Sequence, residues 1–356
     1  MSLPIRPAVL ASPDYPFVAV DALIKLDQNE STQDLPDELK ALICDQLRFV
    51  PWNRYPDLNS ESICKVISTY EGWPAESVVV TTGSNVLIAL LTQLAGTGQQ
   101  VVTAKPNFAL YALGARLFDA NLTEVPLTPN LALDLPQLAE VIRSRRAGGP
   151  SEGRGVLYLP QPHAPTGSVV DAESLRSLVR EAPDWLVVID EAYHQFADTD
   201  CRPIAKEFDN VVLLRTFSKA WGLAGLRLGY ALTSPAVASN LRKLVPPFAT
   251  SVMQTIAIST VLTHASYLTE RIKLVIAERE RMLKALANHP RWQAYPSHAN
   301  FILIRTPNAE DAFRHLLSKG ILVRRQDSYF GLKGCIRVTV GQPAENAAFL
   351  QAALTA

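Results

Sequence analysis

The sequence predicts an α/β protein, with a mainly parallel sheet covered by helices on both faces and a smaller α/β unit after it. Three observations carry this reading. From residue 77 onward, short apolar runs of strand length alternate with longer stretches of helical spacing, and repeated strand, helix, strand units of that kind build parallel sheets. Runs such as 186–189 and 211–214 are continuously aliphatic, as strands buried on two faces must be. Polar and charged residues stand directly after these runs, at the carboxyl ends where open sheets hold their ligands.

With 356 residues the chain can bury a sizeable core and divide into two domains. Hydrophobic residues make up 48% and charged residues 19%, an ordinary balance for a soluble globular enzyme. The 34 basic and 34 acidic side chains cancel, so no global field draws in nucleic acid or an anionic membrane. Cys44, Cys64, Cys201 and Cys335 lie far apart without metal-site pairing; they predict buried thiols in a reducing compartment, with neither a disulfide framework nor a bound metal. Prolines interrupt the first residues where a signal peptide needs an apolar helix, and no run of about 18 apolar residues follows. A cytoplasmic protein is the expectation.

Taken in order, the first thirty residues are punctuated by Pro4, Pro7, Pro13 and Pro16, which predicts an irregular arm lying over the body, with Tyr15 as its large polar aromatic. Residues 24–27 fit a short strand and 27–31 a turn or cap. A helix is expected over 35–49, then a loop, Trp52-Asn53-Arg54-Tyr55-Pro56-Asp57, stiffened by its proline and by Pro51. Strand 77–81 and helix 86–94 enclose the turn Thr82-Gly83-Ser84-Asn85. Strands follow over 100–103, 121–126, 155–159, 185–189 and 211–214, separated by helices opening at 106 and spanning 135–146 and 172–181, with 147–153 a surface loop. A helix over 234–245 leads to Pro246-Pro247, where the domain change is placed. Residues 1–30 then form an arm belonging with the small domain, 31–245 the large domain and 246–356 the small one. In that last part helices over 253–263, 267–286 and 309–319 accompany strands over 301–305, 321–324 and 335–340.

Lys219 is the centre of the chemistry. A lysine at a strand end most often faces solvent, since lysines are rarely buried without a partner. A desolvated ammonium, by contrast, gives up its proton more readily and becomes a nucleophilic amine able to form a Schiff base. The neighbours favour the second reading. Ser218 puts a hydroxyl beside the amine, and Arg227 adds a positive fork suited to phosphate. Amine, hydroxyl and arginine together suit an aldehyde that carries a phosphate. Gly83, Ser84 and Asn85 at a helix start offer free amides and close backbone approach to the same phosphate, while Ser84 or Asn85 serves equally as a helix cap. Asp190 follows four aliphatic residues, so its carboxylate needs a partner; a protonated ring nitrogen is one, a helix start the other. Phe108 suits either the core or the face of a ring. Arg337, inside an apolar strand, needs an anion, with Arg324 on an adjacent candidate strand. His298 reads as a packing or loop histidine.

Ser218-Lys219-Ala220, followed by Gly222-Leu223-Ala224-Gly225-Leu226-Arg227-Leu228-Gly229-Tyr230, resembles the cofactor-lysine motif of the fold-type I pyridoxal phosphate-dependent aminotransferases, most closely their histidinol-phosphate aminotransferase branch. Asp190-Glu191-Ala192-Tyr193, Arg54-Tyr55-Pro56, Ser297-His298-Ala299-Asn300-Phe301 and Ile336-Arg337-Val338-Thr339-Val340-Gly341 resemble further landmarks, and the likeness spans nearly the whole chain. It implies a seven-stranded, mainly parallel sheet sandwiched by helices, a smaller α/β domain, and pyridoxal 5'-phosphate as cofactor. It implies Lys219, Asp190 and Tyr193 as catalytic residues, with Gly83, Ser84, Asn85, Phe108, Thr216, Ser218 and Arg227 as further cofactor contacts. Tyr15, Arg324 and Arg337 become substrate contacts, and Tyr55 reaches the neighbouring site of a homodimer. The implied reaction moves an amino group between L-histidinol phosphate and 2-oxoglutarate, giving imidazole acetol phosphate and L-glutamate. An aromatic aminotransferase or a threonine-phosphate decarboxylase-like lyase shares the same motifs, and a cofactor-binding module without turnover is the more distant alternative.

The sequence departs from the family at one place. Fold-type I enzymes usually read Asn-Pro-Thr-Gly after the strand that ends here at Leu159, with that asparagine bonding the ring's phenolic oxygen. This chain reads Gln161-Pro162-His163-Ala164-Pro165-Thr166-Gly167, with Ala164 in the asparagine's place. Tyr193 alone, or Tyr193 with Gln161, His163 or a water, is left to serve that oxygen.

Overall fold

The computed structural model describes residues 4–12, 20–146 and 154–355. Tyr15 and the expected loop over 147–153 lie outside the described residues. Strand β1 (Ile24–Leu26) joins a smaller sheet completed only near the C-terminus. The larger sheet consists of β2 (Val78–Thr81), β3 (Gln100–Lys105), β4 (Asn121–Pro126), β5 (Gly155–Pro160), β6 (Trp185–Asp190), β7 (Val211–Thr216) and β8 (Gly229–Leu232). Its order is β2-β8-β7-β6-β5-β3-β4. Strands β3 to β7 run parallel, whereas β8 is antiparallel to both β7 and β2.

Every residue of β5, β6 and β7 is buried, and successive side chains enter opposite cores as the strand period requires. Val187, Ile189, Val211 and Leu213 pack on one side with Leu175, Leu178 and Val179 of the helix Ala172–Glu181. That helix spaces its apolar residues on one face and is capped by Asp171, whose side chain accepts from the Ser174 N–H. Leu186, Val188, Val212 and Leu214 pack on the other side with Leu87, Ile88 and Leu91 of the helix Ser84–Ala95.

The smaller sheet has the order β1-β11-β12-β10-β9, with β9 (Gln293–Ala294), β10 (Phe301–Arg305), β11 (Ile321–Arg325) and β12 (Cys335–Thr339). Strand β1 lies parallel to β11, Ile24 opposite Ile321, whereas residues 6–12 of the expected irregular arm include a short helix, Pro7–Leu10, with Arg6 ion-paired to Asp119 beside the larger sheet. Leu26, Ile302, Ile304, Val323, Ile336 and Val338 share a core with Met282 and Leu286. The change of core falls later than Pro246-Pro247. The helix Val252–Thr263 is apolar over most of its circumference and sinks Ala257, Ile258 and Val261 into the core of the larger sheet. The crossing occurs along the helix Ser266–Leu286, whose Leu268 packs with the larger core and whose Met282 packs with the smaller. Of the four expected buried thiols, Cys44 is exposed, because it lies on the outer face of its helix; all four cysteines are free. Among the described residues no helix is long and apolar enough to cross a membrane.

Candidate active site

A cavity of about 460 Å³ opens at the carboxyl ends of β5, β6 and β7, where Pro160, Asp190 and Thr216 line it. Its opposite wall comes from the turn after β1 and from Arg324 and Arg337 of the smaller sheet. The two sheets therefore meet across it, in the position expected for a ligand of an open parallel sheet.

An anion cradle forms one end. The helix Ser84–Ala95 starts there with Gly83 as N-cap (φ 94°) and without a side-chain cap, so neither Ser84 nor Asn85 is the capping residue. A Cβ at Gly83 would lie 2.9 Å from Nη2 of Arg227, and a Cβ at Gly229 would lie 2.3 Å from the Ser84 nitrogen. Glycine at both positions lets the arginine and β8 close directly onto the helix start. Arg227 takes a left-handed conformation (φ 51°), and its Nη1 donates to the Ala224 carbonyl (3.0 Å) and to Ser218 Oγ (3.4 Å). The Ser218 N–H in turn donates to Thr216 Oγ1 (3.1 Å). A positive helix end, a guanidinium and hydroxyls gathered at one point make a phosphate site.

Lys219 is half-buried on the cavity wall. Its Nζ donates to the Gln28 carbonyl (2.9 Å) and lies 5.8 Å from the Tyr193 ring centroid. Asn29 donates from Nδ2 to the Tyr193 hydroxyl (2.9 Å), and the Tyr193 ring meets Phe301 edge-on at 5.1 Å. Asp190 is buried; its Oδ2 accepts from the Tyr111 hydroxyl (2.7 Å) and its Oδ1 from the Ala192 N–H (3.1 Å). Burial pushes the Asp190 carboxyl above the usual carboxylate range, while these two hydrogen bonds pull the other way. The Ala192 bond is a local turn contact; no α-helix starts at Asp190.

Strands β11 and β12 pair with Arg324 directly opposite Arg337, so two guanidinium groups stand side by side on the cavity wall. Arg337 donates from Nη2 to the Asp27 carbonyl (2.8 Å), and its guanidinium lies 5.4 Å from the Phe301 ring centroid. The turn after β1 is pinned as well. Asn29 donates its N–H to Thr339 Oγ1 (2.9 Å) and accepts at its carbonyl from Asn300 Nδ2 (3.0 Å).

Gly83 stands at the cradle, and Ser84, Asn85, Phe108, Asp190, Tyr193, Thr216, Ser218, Lys219, Arg227, Arg324 and Arg337 all border the cavity. Tyr55 does not. It is exposed and stacks on Phe248 with ring centroids 4.6 Å apart. His298 is exposed in a loop, donating its N–H to the Gly167 carbonyl (2.8 Å). Ala164 lines the cavity, but the two side chains expected to replace the missing asparagine are turned away. Gln161 bonds the Val170 backbone at both ends of its amide (2.6 and 3.0 Å), and buried His163 bonds Thr166 Oγ1 (2.8 Å) through Nδ1. Burial drives the His163 imidazole down to about 4, so it stays neutral near pH 7. Asn29, within the turn expected over 27–31, lines the cavity as well, as do Asn107, Tyr111, Gln326 and Tyr329, which the sequence did not single out. Tyr111 carried a usable signal, standing three residues after Phe108 at a helix start.

The profile of the aminotransferase class I and II family matches residues 21–352. The histidinol-phosphate aminotransferase of Deinococcus radiodurans is 46% identical over 352 residues, covering 98% of this chain and 96% of that protein. The one from Thermococcus kodakarensis is 38% identical over 348 residues, covering 98% and 97%. Among solved structures, histidinol-phosphate aminotransferase from Sinorhizobium meliloti in complex with pyridoxal-5'-phosphate shares the fold, with a TM-score of 0.88 at 24% identity over 100% of this chain and 98% of that one. Matched over most of its length by the profile and over nearly all of it by these relatives, the chain belongs to the aminotransferase class I and II family.

Proposed function

We propose that this chain transfers an amino group between L-histidinol phosphate and 2-oxoglutarate, giving imidazole acetol phosphate and L-glutamate, with pyridoxal 5'-phosphate held in the cavity. The observation that carries the reading is the convergence of the Lys219 amine, the buried Asp190 carboxylate and the anion cradle at the start of the helix Ser84–Ala95 on one cavity faced by Arg324 and Arg337. Relatives of up to 46% identity that bear the name histidinol-phosphate aminotransferase support the substrate.

The residues fit that cofactor. The close approach of Arg227 and β8 to the start of the helix Ser84–Ala95, which Gly83 and Gly229 permit, gathers groups suited to its phosphate, with Ser84, Asn85, Thr216, Ser218 and Arg227 on the cavity. Asp190 offers a carboxylate to a ring N–H, Tyr193 a hydroxyl to a phenolic oxygen, and Phe108 an aromatic side chain to the ring face. When bound, pyridoxal phosphate supplies an aldehyde for amines and a ring that accepts electrons from the substrate carbon. Lys219 Nζ, once released from the Gln28 carbonyl, would be the general base that takes the proton from the substrate's amine-bearing carbon and passes it to the aldehyde carbon of the bound cofactor. Arg337 and Arg324 bind the anionic tail, phosphate in one half-reaction and carboxylate in the other. Tyr15 belongs to the same proposal as a substrate contact from the N-terminal arm.

The reading includes a homodimer in which Tyr55 reaches the neighbouring cofactor phosphate, a location in the cytoplasm, and a division into an arm, a large domain and a small domain with the core boundary inside Ser266–Leu286. Purified protein loaded with pyridoxal phosphate should turn over L-histidinol phosphate with 2-oxoglutarate at a higher kcat/KM than aromatic amino acids or threonine phosphate, and Lys219→Ala should abolish that turnover. Preference for an aromatic amino acid, carbon dioxide release from threonine phosphate, or undiminished turnover in Lys219→Ala would overturn it.

A further inference from the structure

We propose that Tyr111 is a positioning residue for the reaction: its hydroxyl fixes the Asp190 carboxylate so that one oxygen edge stays aimed at a ring nitrogen in the cavity. The inference rests on the cofactor reading above. Tyr111 is 1% exposed, and its hydroxyl donates to Asp190 Oδ2 at 2.7 Å. The hydroxyl cannot swing elsewhere, because the ring is held on two sides. It stacks on Tyr158 (centroids 4.6 Å apart, planes 10° from parallel) and takes Phe108 edge-on at 5.8 Å.

Tyr158 is itself anchored. Its hydroxyl lies 2.8 Å from Thr92 Oγ1 and 2.9 Å from the Ile88 carbonyl, both on the helix that begins at the phosphate cradle. A buried chain thus runs from that helix through two stacked phenols to the carboxylate. Asp190 Oδ1 takes the Ala192 N–H (3.1 Å), so each carboxylate oxygen holds one donor and keeps lone pairs for the cavity.

The groups facing Asp190 are the Tyr111 hydroxyl, the Ala192 N–H and the neighbouring Glu191, with the Tyr158 phenol sensing the same charge. Burial and the charge of Glu191 favour the neutral carboxylic acid, whereas the two donors favour the carboxylate. The Tyr111 phenol is held far above its ordinary range by burial and by Asp190 itself, which makes it a permanent donor. Without it, Asp190 is both freer to rotate and easier to protonate. Either change weakens its hold on a ring N–H.

The test uses the full chain and does not depend on turnover. In cofactor-free protein labelled with ¹³C at aspartate side chains, the Asp190 titration midpoint should rise by about 1 to 2 pH units in Tyr111→Phe, the size expected for losing one hydrogen bond to a charged group. It should stay in place in Tyr158→Phe, which removes a hydroxyl from the same stack without touching Asp190. In a second arm, affinity is measured for pyridoxal phosphate and for a ring analogue that keeps the aldehyde and phosphate but has carbon in place of the ring nitrogen. Tyr111→Phe should weaken pyridoxal phosphate by about tenfold and leave the nitrogen-free analogue unchanged. An unmoved Asp190 titration, or equal weakening of both ligands, overturns the proposal. Both arms read out even if the protein prefers a different amine, so failure of the substrate reading is separable from failure of this one.

Discussion

Ala164 lines the cavity with a methyl group, which has no hydrogen to donate. Gln161 and His163 are committed to their own loop, which on the proposed reading leaves Tyr193 as the phenol for the ring's oxygen. Asn29 compensates in part: by donating from Nδ2 to the Tyr193 hydroxyl, it leaves that hydroxyl's own hydrogen to point into the cavity. One donor fewer still means a less stabilised ring oxyanion. Ala164→Asn should therefore move the midpoint of the visible spectral titration of the cofactor-loaded protein to lower pH; identical titrations before and after the change would show that residue 164 does not meet the ring oxygen. Asp190 was legible in the sequence because it is a charge set against apolar neighbours, a pattern that demands a partner, and Lys219 and Arg227 because an amine, a hydroxyl and a guanidinium stand close together in one segment. Tyr111 was not, and Asn29 was legible as part of the turn or cap over 27–31 but not by its partners. Asn29 acts from a left-handed turn (φ 54°) and partners residues about 160 to 310 positions away, a relation no local pattern encodes.

At the scale of elements, the antiparallel register of β11 with β12 turns two separate arginines into a single positive wall. Each charge-assisted bond from that wall to an anion contributes about 1.5 to 3 kcal/mol. Arg337→Ala should thus lower kcat/KM about tenfold or more in both half-reactions, with thermal unfolding followed alongside to separate lost anion binding from a loosened small sheet. Unchanged kinetics with both amino donors would remove Arg337 from the site. Most strands and helices were readable: 121–126, 135–146 and 172–181 match the observed elements at both ends, and the aliphatic runs 186–189 and 211–214 fall within β6 and β7. The helices Glu61–Glu71 and Arg202–Glu207 were not expected, although the first sinks Ile63, Cys64 and Ile67 into the core from one face at helical spacing; both are also tied by buried ionic contacts. Arg215 of β7, 3% exposed, pairs with Glu71 at the end of the first and with Glu191 (2.8 Å), while Glu191 also accepts from the Cys201 N–H (3.2 Å) at the start of the second. A network of that kind joins three distant stretches of sequence, so nothing in any one of them announces it. Strand β8 escaped notice because its four residues follow the glycine-rich cofactor segment and read as part of it.

For the whole molecule, a single chain leaves a patch that sits poorly with water. Phe49 (84% exposed), Trp52 (66%), Tyr55 (82%) and Leu58 (51%) follow one another between two helices. Tyr55 stacks on Phe248, whose N–H donates to the Leu58 carbonyl (3.0 Å), so Tyr55, Leu58 and Phe248 are joined rather than scattered. Contiguous apolar surface of this kind marks an interaction site, and a two-fold pair of identical chains would cover the same patch on both. Tyr55 does not border its own chain's cavity, so a role in cofactor binding has to be exercised on a neighbour. Complementation tests this without a structure of the pair. Lys219→Ala chains lack the amine, and Tyr55→Ala chains lack the reaching phenol; each alone should be nearly inactive. In a mixed dimer, the Tyr55→Ala chain keeps its own Lys219 and receives Tyr55 from the Lys219→Ala chain, which completes one site, while the other lacks both groups. Random re-pairing makes about half of the dimers mixed, so roughly a quarter of the wild-type activity should return on mixing after brief dissociation. If each chain builds its site alone, both sites of a mixed dimer stay defective, and no activity will return however the two variants are combined.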